Sequence, residues 1–389
     1  MPWQERSALE ERKEFIAEWL LGEESFAEIC RGYGVSRPTG YKWCERWERE
    51  GEAGLEERSR AAAHNPRAMS EKVRERLLEL RREHPRWGAR KLRKCLEDRC
   101  PGEARPAASS IAELLRREGL AQPRKLRRRV PGYSEPLAHA QASNQLWSAD
   151  YKGWFLCGNG ERCDPLTVSD AYSRYLLRCQ EVAKTDEAHA RAVLEGLFRE
   201  VGLPEAIRTD NGPPFASPAP GGLSRLSIWW VRLGIRPERI EAGHPEQNGR
   251  HERLHLTLKQ ETASPPAANL RRQQEAFLRF QREYNQERPH QALEYRTPAS
   301  VYVPSPRPYP SRLAELEYGP QFQLRRISYN GYFSWKHEAV FVSGVLRGEV
   351  VGFLETDDGL FEVYYGPLLL GWFDAVERAF VADRGRQRR

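Results

Sequence analysis

The sequence predicts a multidomain chain: all-α helix-turn-helix units at the N-terminus, an α/β core with a mixed five-stranded sheet, and a small all-β barrel at the C-terminus. Three observations predict it. Apolar residues recur at helical spacing through residues 1–60 and again through 70–120. From about 141 to 300, short apolar runs alternate with longer amphipathic ones. Past a proline-dense break, five or six short runs rich in Val, Phe, Tyr and Gly follow one another over 320–382. A length of 389 residues with 39% hydrophobic content suffices for several domains and at least one large core. The 62 Lys and Arg exceed the 55 Asp and Glu, and the net charge of +7 favours a polyanionic partner. No run approaches the ~18 apolar residues of a membrane-spanning helix, and the N-terminal residues lack a signal-peptide core. We therefore expect no membrane, a cytoplasmic and nucleoid-associated location, and 7 cysteines as free thiols.

The first domain is expected over residues 1–62. A helix from about Ala8 to Leu21 turns Phe15, Trp19 and Leu20 inward. Ser25–Tyr33 is a second helix, Gly34 supplies the positive φ of a tight turn, and Ser36 caps a third helix to about Glu50. Ile29, Cys30, Tyr33, Val35 and Trp43 are the expected core. This helix-turn-helix would offer Arg37, Thr39, Tyr41 and Lys42 to a DNA major groove. Residues 68–121 repeat the design with Val73–Arg82, Gly88–Asp98 and Ser109–Glu118. Ser109 or Ser110 would cap the last helix, with Ile111, Leu114 and Leu115 inward. A basic linker, 122–140, then carries Arg124, Lys125, Arg127, Arg128 and Arg129, which suit phosphate contacts without reading sequence.

The core is expected over 141–303. Leu146–Asp150, Leu166–Asp170 and Tyr175–Cys179 read as three strands, Thr185–Val201 as a helix, and Ala206–Asp210 as a fourth strand. Ser224–Leu233 is helical, Ile235–Ile240 is a fifth strand, and a long helix opens at Gly243-His244-Pro245 and runs to about Thr262. Asp150 and Asp210 end separate strands, and Glu252 lies two turns into the last helix. Three such acids can supply the oxygen ligands that a pair of Mg²⁺ ions demands. A proline-rich linker, 304–318, is expected to break the chain before the barrel, 319–383, whose clearest runs are Phe322–Ile327, Ala339–Ser343, Glu349–Glu355, Leu360–Tyr365 and Leu368–Phe373. Residues 384–389 form a basic tail.

Residues 144–302 resemble the catalytic core of insertion-sequence transposases of the retroviral-integrase superfamily, the DDE enzymes with a ribonuclease-H-like fold. The matching phrases are Trp147-Ser148-Ala149-Asp150, Asp170-Ala171-Tyr172-Ser173-Arg174, Thr209-Asp210-Asn211-Gly212, the stretch from Gly243 to Arg253, and Tyr284-Asn285-Gln286-Glu287-Arg288-Pro289-His290. The resemblance implies that Asp150, Asp210 and Glu252 are the catalytic, metal-binding triad for two Mg²⁺ ions, with Mn²⁺ as a substitute. It implies that Asp170 is a structural acid and that Lys259 grips DNA. Asn248, Glu252 and Lys259 share one helix face, and Asn248 joins the expected DNA contacts. Glu246 fits the family's usual spacing from Asp210 better than Glu252 does, but Glu252 follows the Pro-x-x-Asn-Gly phrase at Pro245–Gly249.

The implied activity is cleavage at the terminal inverted repeats of a mobile element, followed by joining of the 3′-OH to target DNA. The enzyme would work as a homodimer or larger assembly on DNA, with a C-terminal barrel similar to the SH3-like domains of integrases. The alternative is a catalytically silent DNA-binding regulator or domesticated relative. A rival motif occupies the same helix: His251-Glu252-Arg253-Leu254-His255 spells H-E-x-x-H, the zinc-protease pattern. No third ligand with a matching phrase follows it, and it leaves Asp150, Asp210 and the helix-turn-helix units without a role.

Overall fold

In a computed structural model, which describes residues 7–57, 69–121, 140–240 and 249–381, helix α1 (Ala8–Leu21) opens on a capping box between Ser7 and Glu10. This cap satisfies two of the orphan N–H groups that every helix start leaves. Helices α2 (Phe26–Gly32) and α3 (Arg37–Glu50) follow, with Gly34 at φ +63° between them and the Ser36 hydroxyl accepting from the Thr39 N–H. Phe15, Ile16, Ile29, Cys30, Trp43, Cys44 and Leu55 form the core of this unit. Ile16 takes the inward place expected of Leu20, which is 61% exposed in the last turn of α1. By contact pattern the chain divides into residues 1–69 and 70–389.

The second unit opens on α4 (Glu71–Glu83), α5 (Ala89–Arg99) and α6 (Ala108–Arg117). Val73, Leu77, Leu92, Leu96, Ile111 and Leu115 are buried along their inner faces. The cap of α6 is Ala107, without a side-chain bond, so neither Ser109 nor Ser110 serves as expected. The buried Arg81 guanidinium ties this bundle together by donating to the Trp87 and Leu120 carbonyls at 2.7 and 2.6 Å.

The core sheet is built from β1 (Leu146–Tyr151), β3 (Arg162–Asp170), β4 (Leu176–Val182), β5 (Ala206–Thr209) and β6 (Arg236–Arg239), and the short β2 (Phe155–Leu156) flanks β3. Its order is β4-β3-β1-β5-β6. The β1–β3 and β3–β4 pairs are antiparallel, and β1–β5 and β5–β6 are parallel, so the sheet is mixed as the sequence predicts, and β2, paired to β3, gives it six strands instead of five. Side chains alternate across it. Trp147, Ala149, Leu166 and Val168 enter one core with α7 (Glu187–Val201) and α8 (Arg225–Arg232). Cys163, Leu176 and Cys179 enter another with Leu254 and Leu258 of α9 (Gly249–Thr262) and Phe277 and Phe280 of α10 (Leu270–Gln286).

The proline-rich segment does not break away from the core. Ser305 N–H donates to the Val201 carbonyl at 2.9 Å and Leu203 N–H to the Arg307 carbonyl at 2.8 Å. The Arg307 guanidinium donates to Pro204, Leu233 and Gly234 carbonyls. Proline removes N–H donors but leaves every carbonyl, so the segment can still be strapped down through its acceptors and its non-proline residues.

The C-terminal region is all-β: β7 (Gln323–Arg326), β8 (Tyr332–Trp335), β9 (Glu338–Phe341), β10 (Val350–Asp357), β11 (Leu360–Tyr365), β12 (Leu368–Asp374) and β13 (Ala379–Val381). Five strands make one antiparallel sheet in the order β13-β12-β11-β10-β7, and β8–β9 is a separate hairpin. Among the described residues the ladder does not close into the expected barrel. The hairpin instead covers the sheet by packing: Phe333 lies 4.8 Å from Phe353 and Trp335 lies 4.9 Å from Phe373, ring to ring. Leu223, Ile228 and Val231, in and just before α8, belong to this same core. The sheet is thereby fastened to the back of the α/β layer.

Candidate active site

Asp150 stands near the end of β1, and Asp210 follows β5 directly. The parallel register pairs Leu146 with Ala206, Trp147 with Ile207 and Ser148 with Arg208. Both acids therefore come two residues beyond the same pair, at the same ends of adjacent parallel strands. The Gly212 N–H donates to Asp210 Oδ1 at 3.2 Å. An added Cβ on Gly212 would sit 3.0 Å from Asp210 Oδ2, so glycine keeps that carboxylate uncovered. Asp170 is buried at 1% exposure and accepts from the Asn144 N–H, the Ser173 N–H and the Ser173 hydroxyl at 2.6–2.7 Å. Burial raises its pKa and these bonds lower it, and with every bond pointing into a turn it is a structural acid.

Helix α9 crosses the same side of the sheet. Asp150 pairs with Thr167 and Ser148 with Ser169 across the β1–β3 ladder, which turns both hydroxyls toward the helix. The Thr167 Oγ1 lies 3.1 Å from the Asp150 carbonyl and 2.7 Å from the Nε2 atoms of both His251 and His255. His251 Nδ1 meets the Ser169 hydroxyl at 3.2 Å, and His255 Nδ1 lies 4.0 Å from Asp150 Oδ2. Burial, with His255 beside it, pushes the His251 pKa well below the ordinary imidazole value. Burial, with Lys152 nearby, lowers His255 to about 4, so both rings are neutral at pH 7.

Asp150, His251 and His255 are the described residues whose ligand atoms come within 4.8 Å of one another, and the three predicted carboxylates are not gathered in this way. Glu252 is exposed in the first turn of α9. At 100° per residue it lies on the flank next to His255, together with Lys259 and away from the buried Leu254. The zinc-protease arrangement is not formed, because both nitrogens of His251 are engaged by hydroxyls. Glu246 and Asn248 lie outside the described residues, as do Arg124, Lys125, Arg127, Arg128 and Arg129. In the first unit Arg37, Tyr41 and Lys42 are exposed on α3. Tyr41 stacks on Phe26 at 4.2 Å, the Lys42 ammonium sits over Trp43, and Thr39 is half-buried with its hydroxyl 2.8 Å from that of Ser36.

Sequence reasoning passed over two features. Lys152, two residues past Asp150, lies over the Phe155 ring, and burial and the nearby Lys259 hold its pKa below the usual lysine value. Its proximity to Asp150 in sequence was the available signal. Thr167 and Ser169 alternate with apolar residues on β3, and that alternation, set against two histidines one helical turn apart, was legible as a strand–helix contact.

Comparison with known proteins agrees with this architecture. The integrase core domain family matches residues 140–245 and 233–298, a helix-turn-helix domain matches 11–63, and a homeodomain-like domain matches 39–115. The insertion element IS407 31.7 kDa protein of Burkholderia multivorans is 30% identical over 246 residues, which are 62% of this chain and 85% of that one. The insertion element IS476 39.2 kDa protein of Xanthomonas euvesicatoria is 27% identical over 248 residues, 64% and 69% of the two chains. Among solved structures, the HTLV-2 integrase catalytic core domain has 16% identity and a TM-score of 0.34, over 42% of this chain and all of that one. Helix-turn-helix DNA-binding units ahead of an integrase core define a protein of the polynucleotidyl-transferase class. The chain belongs to the insertion-sequence DDE transposases of the retroviral-integrase superfamily.

Proposed function

We propose that this transposase cuts DNA at the terminal inverted repeats of its own insertion sequence and joins the freed 3′-OH to target DNA by direct transesterification. The observation that supports the reading is that Asp150, in β1, and Asp210, just past β5, each come two residues beyond the paired Ser148 and Arg208, while α9, which carries Glu252, packs on the same sheet. Asp150, Asp210 and Glu252 would hold two Mg²⁺ ions, with Mn²⁺ able to replace them. Bound there, the ions supply Lewis-acid stabilisation of phosphoryl oxygens. The donor set fits such hard cations, since all three groups are carboxylates and Gly212 leaves Asp210 uncovered.

The remaining parts are the chain's own. Lys152 and Lys259 grip the DNA backbone beside the scissile phosphate. Arg37, Thr39, Tyr41 and Lys42 read the repeat, and Arg124, Lys125, Arg127, Arg128, Arg129 and Asn248 add affinity. Joining two element ends needs two sites, so the working form is a homodimer or larger. The all-β region contacts DNA or a second protomer. The test is incubation of the purified chain with labelled element-end DNA in Mg²⁺, Mn²⁺ or EDTA. We expect metal-dependent 3′ nicking and joining, abolished in Asp150→Asn and Glu252→Gln and retained in Glu246→Gln, with end binding kept in all three. Wild-type cleavage by Asp150→Asn would refute the triad.

A further inference from the structure

The hydrogen positions around Thr167 follow from counting. A hydroxyl has one proton to donate and two lone pairs to accept with. Three partners surround Thr167 Oγ1: the Asp150 carbonyl at 3.1 Å and the Nε2 atoms of His251 and His255 at 2.7 Å each. A carbonyl can only accept, so the threonine proton goes to Asp150. Both imidazoles must then donate from Nε2, which fills the two lone pairs of Thr167 and leaves both Nδ1 atoms as electron-pair donors. His251 Nδ1 accepts from Ser169. His255 Nδ1 faces the Asp150 carboxylate, 4.0 Å from Oδ2.

At 4.0 Å the two electron-pair donors are too far apart for a hydrogen bond, and a cation between them would turn their mutual repulsion into attraction. The gap is the right length for a shared ion. Bonds from a divalent transition metal to imidazole nitrogen and to carboxylate oxygen each measure about 2.0–2.2 Å, so two ligands on opposite sides of one ion stand roughly 4.0–4.4 Å apart. We propose that His255 Nδ1 is a ligand of the ion held by Asp150, giving this centre a mixed nitrogen and oxygen donor set. Thr167 sets the tautomer of His255, and His251 takes no part in ligation. A nitrogen ligand shifts preference from Mg²⁺ toward borderline ions such as Mn²⁺ and Co²⁺. This rests on the reading of Asp150 as a metal-binding acid.

The experiment is Mn²⁺ titration of the full-length chain, followed by electron paramagnetic resonance, with pulsed detection of ¹⁴N coupling. Wild type, His255→Ala, His255→Asn and Asp150→Asn are compared, each checked for its melting transition. We expect imidazole ¹⁴N modulation in the wild type and its loss in both His255 variants. Mn²⁺ affinity should fall about tenfold in them, with a smaller fall for Mg²⁺. The wild-type spectrum decides without any variant: no coordinated nitrogen overturns the inference, as does ¹⁴N modulation that survives in His255→Ala. If the inference alone is wrong, Asp150→Asn still abolishes Mn²⁺ binding. Unchanged Mn²⁺ binding in Asp150→Asn overturns the metal-binding reading of Asp150 as well.

Discussion

At the scale of single residues, the Thr167 hydroxyl is the point on which the site turns. It joins β1, β3 and α9 through one oxygen. Thr167→Val keeps the shape and removes the hydroxyl, taking from the two imidazole N–H donors the acceptor they share. A cost of roughly 1–3 kcal/mol per unsatisfied buried group is expected, and chemical denaturation measures it. The two imidazoles also set a pH dependence. Folded, His255 titrates near 4 instead of the ordinary 6.5, and burial holds His251 lower still than ordinary. The unfolded chain therefore binds more protons between those values. The stabilisation from keeping both rings neutral is complete above about pH 6.5 and is lost as pH falls toward 4. A wild-type melting temperature that drops over this range, less steeply in His255→Asn, is the expected result.

At the scale of elements, two contacts decide how the second unit is held. Gly202, at φ +83°, lets the proline-rich strap approach the end of α7. A Cβ there would meet the Ser305 and Arg307 carbonyl oxygens at 2.7 Å. Gly202→Ala should both strain the backbone and push the strap away, lowering stability by about 1–3 kcal/mol. A shift in the denaturation midpoint measures it, and an unchanged midpoint would mean that the strap is dispensable.

Lys91 on α5 is the second contact. Burial and the neighbouring Arg288 and Arg253 lower its pKa to about 7, with Glu261 and Glu283 pulling the other way. Because the folded value lies below the ordinary 10.5, the folded chain loses stability as pH falls from there toward 7. Lys91→Met should raise the melting temperature at pH 6–7, and the gain should shrink as pH approaches 10. His84 lies 3.3 Å from Glu283, and Arg99 lies 3.4 Å from Glu287, so polar side chains of the helical bundle meet this face of α10. The Arg99–Glu287 pair is solvent-exposed, and such pairs are worth little singly.

At the scale of the whole molecule, the chain divides at residue 69 into two compact units, and under the proposed function the first of them reads the element ends. Deleting residues 1–69 should weaken binding to element ends at least tenfold. Binding to unrelated DNA of the same length should change much less, because phosphate contacts elsewhere carry that term. Competition binding at fixed salt measures both. An equal loss on both DNAs would place sequence recognition outside this unit.

Local signals in the sequence reached far. Ser36 before α3, Gly34 ahead of it and the apolar spacing of α1–α3 defined those helices almost to the residue, because caps and periodicity act within a turn or two. Five of the six core strands and their order of helices were legible for the same reason. So were Asp150 and Asp210, which end apolar runs, and the free state of the cysteines. Strand β8 escaped because Tyr332–Trp335 is short and only half its side chains are buried. The bound strap at 304–310 escaped because its partners lie about a hundred residues upstream.

What the sequence determined by itself was therefore composition, helix and strand identity, the acids at strand ends and the family phrases that surround them. Only the tertiary structure decided that Asp150 and Asp210 stand at the same ends of adjacent parallel strands, since strand register is a long-range property. Only it showed that the H-E-x-x-H phrase places one histidine in a hydroxyl knot and the other beside Asp150. An i, i+4 spacing puts two side chains on one helix face, but what that face meets is chosen by the packing of the helix on the sheet.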